Sequence, residues 1–140
     1  MNLAQQARQA AVLIVEDDPI ISMSLQQTLR DMGCKILAAA ASGEEALALV
    51  EQAPPDLVLS DIILKGEMDG IDMAREIRSR FGVPVVFITA YADLEKLQRA
   101  KLALPFGYLL KPFQERDLKV TVEMALYTAR MEAGRVEAEK

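Results

Sequence analysis

Apolar residues recur along this chain in two alternating patterns. Short unbroken runs fall at Ala11–Val15, Lys35–Ala40, Asp56–Ser60, Pro84–Ile88 and Gly107–Leu110. Runs this short and this continuous suit the strands of a parallel sheet buried on both faces. Between them the apolar positions follow a helical period. Ile21, Leu25, Thr28, Leu29 and Met32 share one stripe, and Ala46, Leu49, Val50 and Ala53 share another. Leu118, Val122, Ala125 and Ala129 mark a third near the end of the chain.

The residues at the seams agree with this division. Asp18 is placed to cap the first helix, with Pro19 in its first turn and Gly33 beyond its end. Ser42 and Glu45 have the spacing of a capping box for the second helix, which Pro54-Pro55 then stops. Met68-Asp69-Gly70 shapes the loop before helix three and caps that helix, Ala92-Asp93 opens a fourth, and a fifth starts near Gln114. Five strand-then-helix units predict an α/β, doubly wound five-stranded parallel sheet with helices on both faces. In such sheets ligands bind beyond the carboxyl ends of the strands, where strand order reverses.

Composition narrows the chemistry. The 140 residues are 51% hydrophobic and 26% charged, ordinary for a single globular domain. Sixteen basic against 21 acidic residues leave a net charge of −5, which disfavours direct nucleic-acid binding. The lone cysteine, Cys34, excludes an internal disulfide and reads as a small buried filler. With no histidine, imidazole-based catalysis and metal binding are excluded, as is a phosphohistidine on the chain itself. No apolar stretch approaches membrane-spanning length, and the lead 1–10 is too polar for a signal peptide, so a cytoplasmic protein is expected.

The strand ends hold the candidate chemistry. Strand one runs into Glu16-Asp17-Asp18, strand three into Asp61, strand four into Thr89, and strand five into Lys111. Singly these are ordinary residues; Asp18 before Pro19 is a helix cap, and an acid or threonine after a strand is usually a turn. Together they put neighbouring carboxylates on one rim, where mutual repulsion favours a cation. Oxygen ligands alone suit Mg²⁺. Phosphoryl transfer uses such a set: metal and Lys111 neutralise the phosphoryl oxygens, Thr89 donates a hydrogen bond to one, and a carboxylate attacks. Asp61 is the better nucleophile, since Glu16 and Asp17 come as a pair from one strand. The acidic first turn disfavours nucleotide or FMN binding there.

The runs Val12–Pro19, Pro55–Asp61, Met68-Asp69-Gly70, Val83–Ala90 and Tyr108–Phe113, taken in order, resemble the receiver domain of two-component response regulators, of which chemotaxis receivers are one kind. The resemblance implies a flavodoxin-like sheet of order 2-1-3-4-5. It implies Asp61 as acceptor of a phosphoryl group from a histidine kinase or phosphotransfer protein. Glu16, Asp17, Asp61 and the backbone carbonyl of Ile63 would hold Mg²⁺, with Mn²⁺ as a substitute. Thr89 and Lys111 would contact the phosphoryl group, and Thr89 with Tyr108 would form the switch. The responding surface would be helix four, strand five and helix five, which could also carry a homodimer. Three departures stand out: Glu16 where Asp is more frequent, a loop after Asp61 without the usual proline, and Leu104-Pro105-Phe106-Gly107 before strand five.

Two other classes compete. An aspartate-nucleophile phosphatase commonly needs an acid two residues past the nucleophile, and Ile63 stands there. A phosphorylation-independent module would have lost the acid pair, Thr89 or Lys111, and none is lost. The expectation is therefore a non-enzymatic signalling domain spanning 11–127, with 1–10 a flexible lead. No DNA-binding helix-turn-helix is expected to follow. Residues 128–140 are either a solvated tail or a helical connector to an output module.

Overall fold

A computed structural model describes residues 7, 9–64, 66–96, 98 and 106–139. Five parallel strands lie in the order β2-β1-β3-β4-β5: β1 Ala11–Val15, β2 Lys35–Ala40, β3 Leu57–Asp61, β4 Val85–Ala90 and β5 Gly107–Lys111. The helices are α1 Pro19–Asp31, α2 Gly43–Gln52, α3 Gly70–Phe81 and α4 Glu115–Glu139. A 3-10 helix, Tyr91–Lys96, stands where the fourth helix was expected to open, and most of the span expected to continue it lies outside the described residues.

Because successive strand residues point to opposite faces, the continuous apolar runs feed two cores. Leu13, Val15, Val58, Val85 and Phe87 pack on one side with Ala46, Val50, Ile71, Ala74 and Ile77 of α2 and α3. Val12, Ile14, Leu57, Leu59, Val86, Ile88 and Leu109 pack on the other with Leu25, Leu29, Leu118 and Val122 of α1 and α4. Phe113 lies against this second core as an anchor after Pro112.

The caps form as the sequence predicts, with one shift. Asp18 Oδ1 accepts the amides of Ile20 and Ile21 at 2.9 and 3.4 Å. Ser42 Oγ accepts the Glu45 amide at 3.2 Å, while the Glu45 carboxylate reaches one residue further back, to the Ala41 amide at 3.1 Å. Asp69 Oδ1 accepts the Asp72 amide at 2.8 Å to open α3. Gly33 takes φ 92° after α1, which a side chain would resist.

Three strands run further at their carboxyl ends than the hydropathy reading, and each extension brings a polar residue into the sheet. Asp61 pairs with Ile88, Thr89 with Leu110, and Ala90 with Lys111. Asp56, expected to open β3, instead turns its carboxylate to the Ala11 amide at 2.8 Å and seals the start of β1. Hydropathy stops at polar side chains, but the backbone ladder does not.

Cys34 is the filler it was expected to be. Its thiol donates to the Ala7 carbonyl at 3.3 Å. Burial, then the nearby Glu123 charge, pushes its pKa up to about 11. The unfolded chain releases this proton near pH 9, but the folded chain holds it until pH 11, so stability falls across that window by up to about 3 kcal/mol. Urea midpoints should therefore drop between pH 9 and 11, and drop less in Cys34→Ala. Parallel curves for the two proteins would count against a buried thiol.

Candidate functional site

Strand order reverses between β1 and β3, since β2 lies on one side of β1 and β3, β4 and β5 follow on the other. Glu16 and Asp17 follow the last residue of β1, and Asp61 is the last residue of β3. The acids therefore stand at the reversal crevice, the ligand position in doubly wound sheets. Lys111, ending β5, reaches across to them. Its Nζ is 2.9 Å from Asp61 Oδ2 and 3.4 Å from Glu16 Oε1. The Glu16 side chain is only 2% exposed and that of Asp61 13%, while Lys111 keeps 26%.

Backbone groups fix the acids. Asp61 Oδ1 accepts the Ile63 amide at 3.0 Å, and Glu16 Oε2 accepts the Asp18 amide at 3.4 Å. Beneath them Ser60 is fully buried, its hydroxyl donating to the Asp61 carbonyl at 2.9 Å. Thr89 is buried too, but its hydroxyl donates to the neighbouring Ala90 carbonyl at 3.3 Å. Tyr108 is turned outward and 57% exposed.

The charges are strained by their company. Burial, then repulsion from Asp61, raises the Glu16 pKa, and Lys111 only partly offsets this. Burial lowers that of Lys111, but the hydrogen bond and charge of Asp61, followed by those of Glu16, outweigh it and hold the ammonium above its usual value. One ammonium thus faces more carboxylates than it can neutralise. Among the described residues no three acidic side chains are grouped as a ready-made cage. The donors are all oxygens, and Mg²⁺ takes one or two carboxylates with waters rather than an all-protein cage, so the set fits that ion.

The structure thus joins Glu16, Asp61 and Lys111 directly, sets Asp17 beside Glu16, and buries Thr89 at the end of the adjacent β4. Sequence reasoning missed two supports. Gly70 packs under the loop after Asp61 so closely that a Cβ there would lie 2.4 Å from the Asp61 carbonyl oxygen. Glu44, at the start of α2, accepts the Met68 amide at 2.8 Å. Its carboxylate lies against Gly66, whose φ of 104° and missing Cβ leave it room, and the Met68 amide lowers its pKa. No local signal marks Glu44, because the contact spans 24 residues. Glu44→Ala should bring hydrogen exchange at the Met68 amide towards the rate of an open loop, while Glu44→Gln retains protection. Equal exchange in all three proteins would remove Glu44 from this role.

A doubly wound parallel sheet with acids and a lysine meeting at its reversal point defines a flavodoxin-like α/β protein with a polar strand-end site. The chain belongs, within that class, to the response regulator receiver domain family, whose model matches residues 12–123. It is 41% identical over 115 residues to the transcriptional regulatory protein PdtaR of Mycobacterium tuberculosis, covering 82% of this chain and 56% of that protein. It is 32% identical over 117 residues to the phyllosphere-induced regulator PhyR of Methylorubrum extorquens, covering 83% and 43%. Among solved structures, the signal receiver domain of a modulated diguanylate cyclase from Desulfovibrio desulfuricans G20 superposes with a TM-score of 0.83 at 37% identity, covering 89% of this chain and 98% of that one. The chain spans about half the length of the curated relatives it matches. Membership in the family supports a phosphoacceptor role in two-component signalling. Among the described residues no helix is long and apolar enough to cross a membrane.

Proposed function

We propose that this chain is a phosphorylation-operated switch with Asp61 as its phosphoacceptor. The observation that carries the reading is the 2.9 Å contact of Lys111 Nζ with Asp61 Oδ2 at the strand-order reversal. The donor is a phosphohistidine on a partner histidine kinase or phosphotransfer protein, as membership in the receiver family implies. An Asp61 carboxylate oxygen forms the new P–O bond as the donor's P–N bond breaks, and the imidazole leaves carrying a proton.

Glu16, Asp17, Asp61 and the backbone carbonyl of Ile63 are the groups that would hold Mg²⁺, with Mn²⁺ as a substitute. When bound, the ion neutralises charge on the phosphoryl oxygens. Lys111 already donates to the nucleophile and needs only to follow the added oxygens. Thr89 would exchange its weak bond to the Ala90 carbonyl for a phosphoryl oxygen, and Tyr108 would turn inward from its exposed position. The face beside Thr89, β5 and the start of α4 then reports the change to an output module or to a second copy. The unit is a receiver over 11–127 after a lead of ten residues, and 128–140 serve as a connector to that module. It acts in the cytoplasm as a signalling domain rather than a turnover enzyme, without binding nucleic acid or membrane itself.

Acetyl phosphate tests the reading. Mass spectrometry should show one hydroxylamine-labile phosphoryl group that forms only with Mg²⁺ or Mn²⁺. Asp17→Ala should weaken Mg²⁺ affinity at least tenfold, because an ion with few protein ligands cannot lose a charged one cheaply. Metal-independent uptake, or unchanged Mg²⁺ affinity in Asp17→Ala, would sink the metal assignment.

A further inference from the structure

The loop after Asp61, residues 62–69, is fastened at both ends and carries one of the proposed metal ligands. At its start Ile62 and Leu64 are buried in the core against α2 and α3, and the Ile63 amide donates to Asp61 Oδ1 at 3.0 Å. At its end Asp69 caps α3, and the Gly70 amide donates to the Ile62 carbonyl at 3.0 Å. The stretch between has little stiffness of its own, since it contains no proline and Gly66 sits at φ 104°. Helix α2 holds it from outside. Glu44 Oε1 accepts the Met68 amide at 2.8 Å, and Oε2 lies 2.9 Å from where a Cβ on Gly66 would stand. A Cβ on Gly43 would likewise stand 3.2 Å from Met68 Cγ and 3.3 Å from its carbonyl oxygen. The first turn of α2 therefore meets the loop at Gly66 and at Met68.

We propose that Glu44 is a positioning residue for the divalent ion: by gripping the loop at Gly66 and Met68 it limits movement of the peptide that carries the Ile63 carbonyl. The proposal rests on the Mg²⁺ reading above and deepens it. Glu44 adds no ligand and does not touch the ion. It removes loop conformations that the unbound chain would otherwise sample, so less ordering remains to be done when the metal binds. The carboxylates of Glu16, Asp17 and Asp61 can adjust to an ion by turning about their side-chain bonds. A backbone carbonyl has no such freedom, so the Ile63 oxygen depends most on what holds the loop.

Charge is the competing account. A carboxylate near an acidic site draws a cation through solvent whether or not it grips a loop. Two variants separate the roles. Glu44→Gln keeps an oxygen for the Met68 amide and loses the charge. Gly66→Ala keeps the charge but puts a methyl 2.9 Å from Glu44 Oε2, the movable end of that side chain, and so pushes it off the amide. Glu44 is exposed, so its hydrogen bond is a modest one and the effect is severalfold rather than all-or-none.

Titration of the 140-residue chain with MgCl₂ at fixed ionic strength, followed by amide NMR shifts, tests it. Glu44→Ala should raise the Mg²⁺ dissociation constant about three- to fivefold, and Glu44→Gln should stay close to the parent value. Gly66→Ala should weaken binding in the parent chain but add little in the Glu44→Ala background. Its backbone strain is present in both backgrounds and cancels in that cycle, which leaves the clash with Glu44. A merely structural role would lower the thermal midpoint and leave the dissociation constant where it was. Unchanged Mg²⁺ affinity in Glu44→Ala therefore overturns the proposal, as does a Gly66→Ala effect of equal size in both backgrounds. Equal weakening in Glu44→Ala and Glu44→Gln that added salt abolishes would assign Glu44 to charge attraction and overturn the clamp. A parent chain that binds no Mg²⁺ would instead sink the metal reading itself, and the clamp with it.

Discussion

Asp61→Asn should take up no phosphoryl group from acetyl phosphate and Mg²⁺, a loss of at least about 10³-fold against the parent chain. The amide has nearly the shape of the carboxylate, but its single oxygen can keep only one of the two bonds that separate carboxylate oxygens now accept, from the Ile63 amide at 3.0 Å and from the Lys111 ammonium at 2.9 Å. What it lacks is an anionic oxygen able to form an acyl phosphate. The variant should remain folded, because the substitution leaves the β3 ladder and the buried Ser60 hydroxyl in place. Glu16 should respond as well, since repulsion from Asp61 is one of the causes that raise its pKa. Its protonation should shift to lower pH, readable by carbon-detected NMR of the side-chain carboxyl. Hydroxylamine-labile phosphate retained in Asp61→Asn would move the acceptor to another residue.

Gly70→Ala should be the most damaging single methyl in the molecule. Its Cβ would lie 2.4 Å from the Asp61 carbonyl oxygen and 2.8 Å from that of Ile62, and both are backbone atoms with no rotamer to escape into. The Gly70 amide also donates to Ile62 at 3.0 Å, so relief of the clash stretches a bond that closes the loop after Asp61. A cost of about 3 kcal/mol or more is expected, a fall in thermal midpoint on the order of 10 °C. Phosphoryl uptake should slow in the molecules that remain folded, because the acceptor's own peptide must move. Two glycines calibrate the result. Gly107→Ala meets only Thr121 Cγ2 at 3.4 Å and should be nearly neutral. Gly82→Ala has open space around it but sits at φ 67°, so it should cost about 1 kcal/mol through backbone strain alone. A Gly70→Ala protein as stable as Gly107→Ala would mean that the loop yields far more easily than this packing implies.

Local pattern carried much of this molecule. The boundaries of β1 and β2 and the caps at Asp18, Ser42 and Asp69 were readable because hydropathy and capping are properties of neighbours in sequence. The strand ends were less legible, since Asp61, Thr89 and Lys111 break the apolar run while their backbones continue the ladder. That Lys111 shares a rim with Glu16 and Asp61 followed from the strand ends, but its contacts with them, spanning 95 and 50 residues, had no local signal. The Glu44 clamp on Met68 and the closeness of Gly70 to Asp61 had no signal at all, being set by how α2 and α3 dock. Tyr108 illustrates a different gap: its type suits either side of a surface, and only the fold turns it outward.

Helix α4 is rooted three residues after the Pro112 that follows Lys111 and runs 25 residues without a break. At 1.5 Å per residue it is a rod of about 38 Å, longer than the sheet it leans on. A rod amplifies angle into distance. A tilt of about 5° at its root carries the far tip through about 3 Å, more than the radius of a methyl group and enough to unseat one packed side chain from its neighbour. Small displacements around Lys111 would therefore become movements of a few ångströms at the far end of α4.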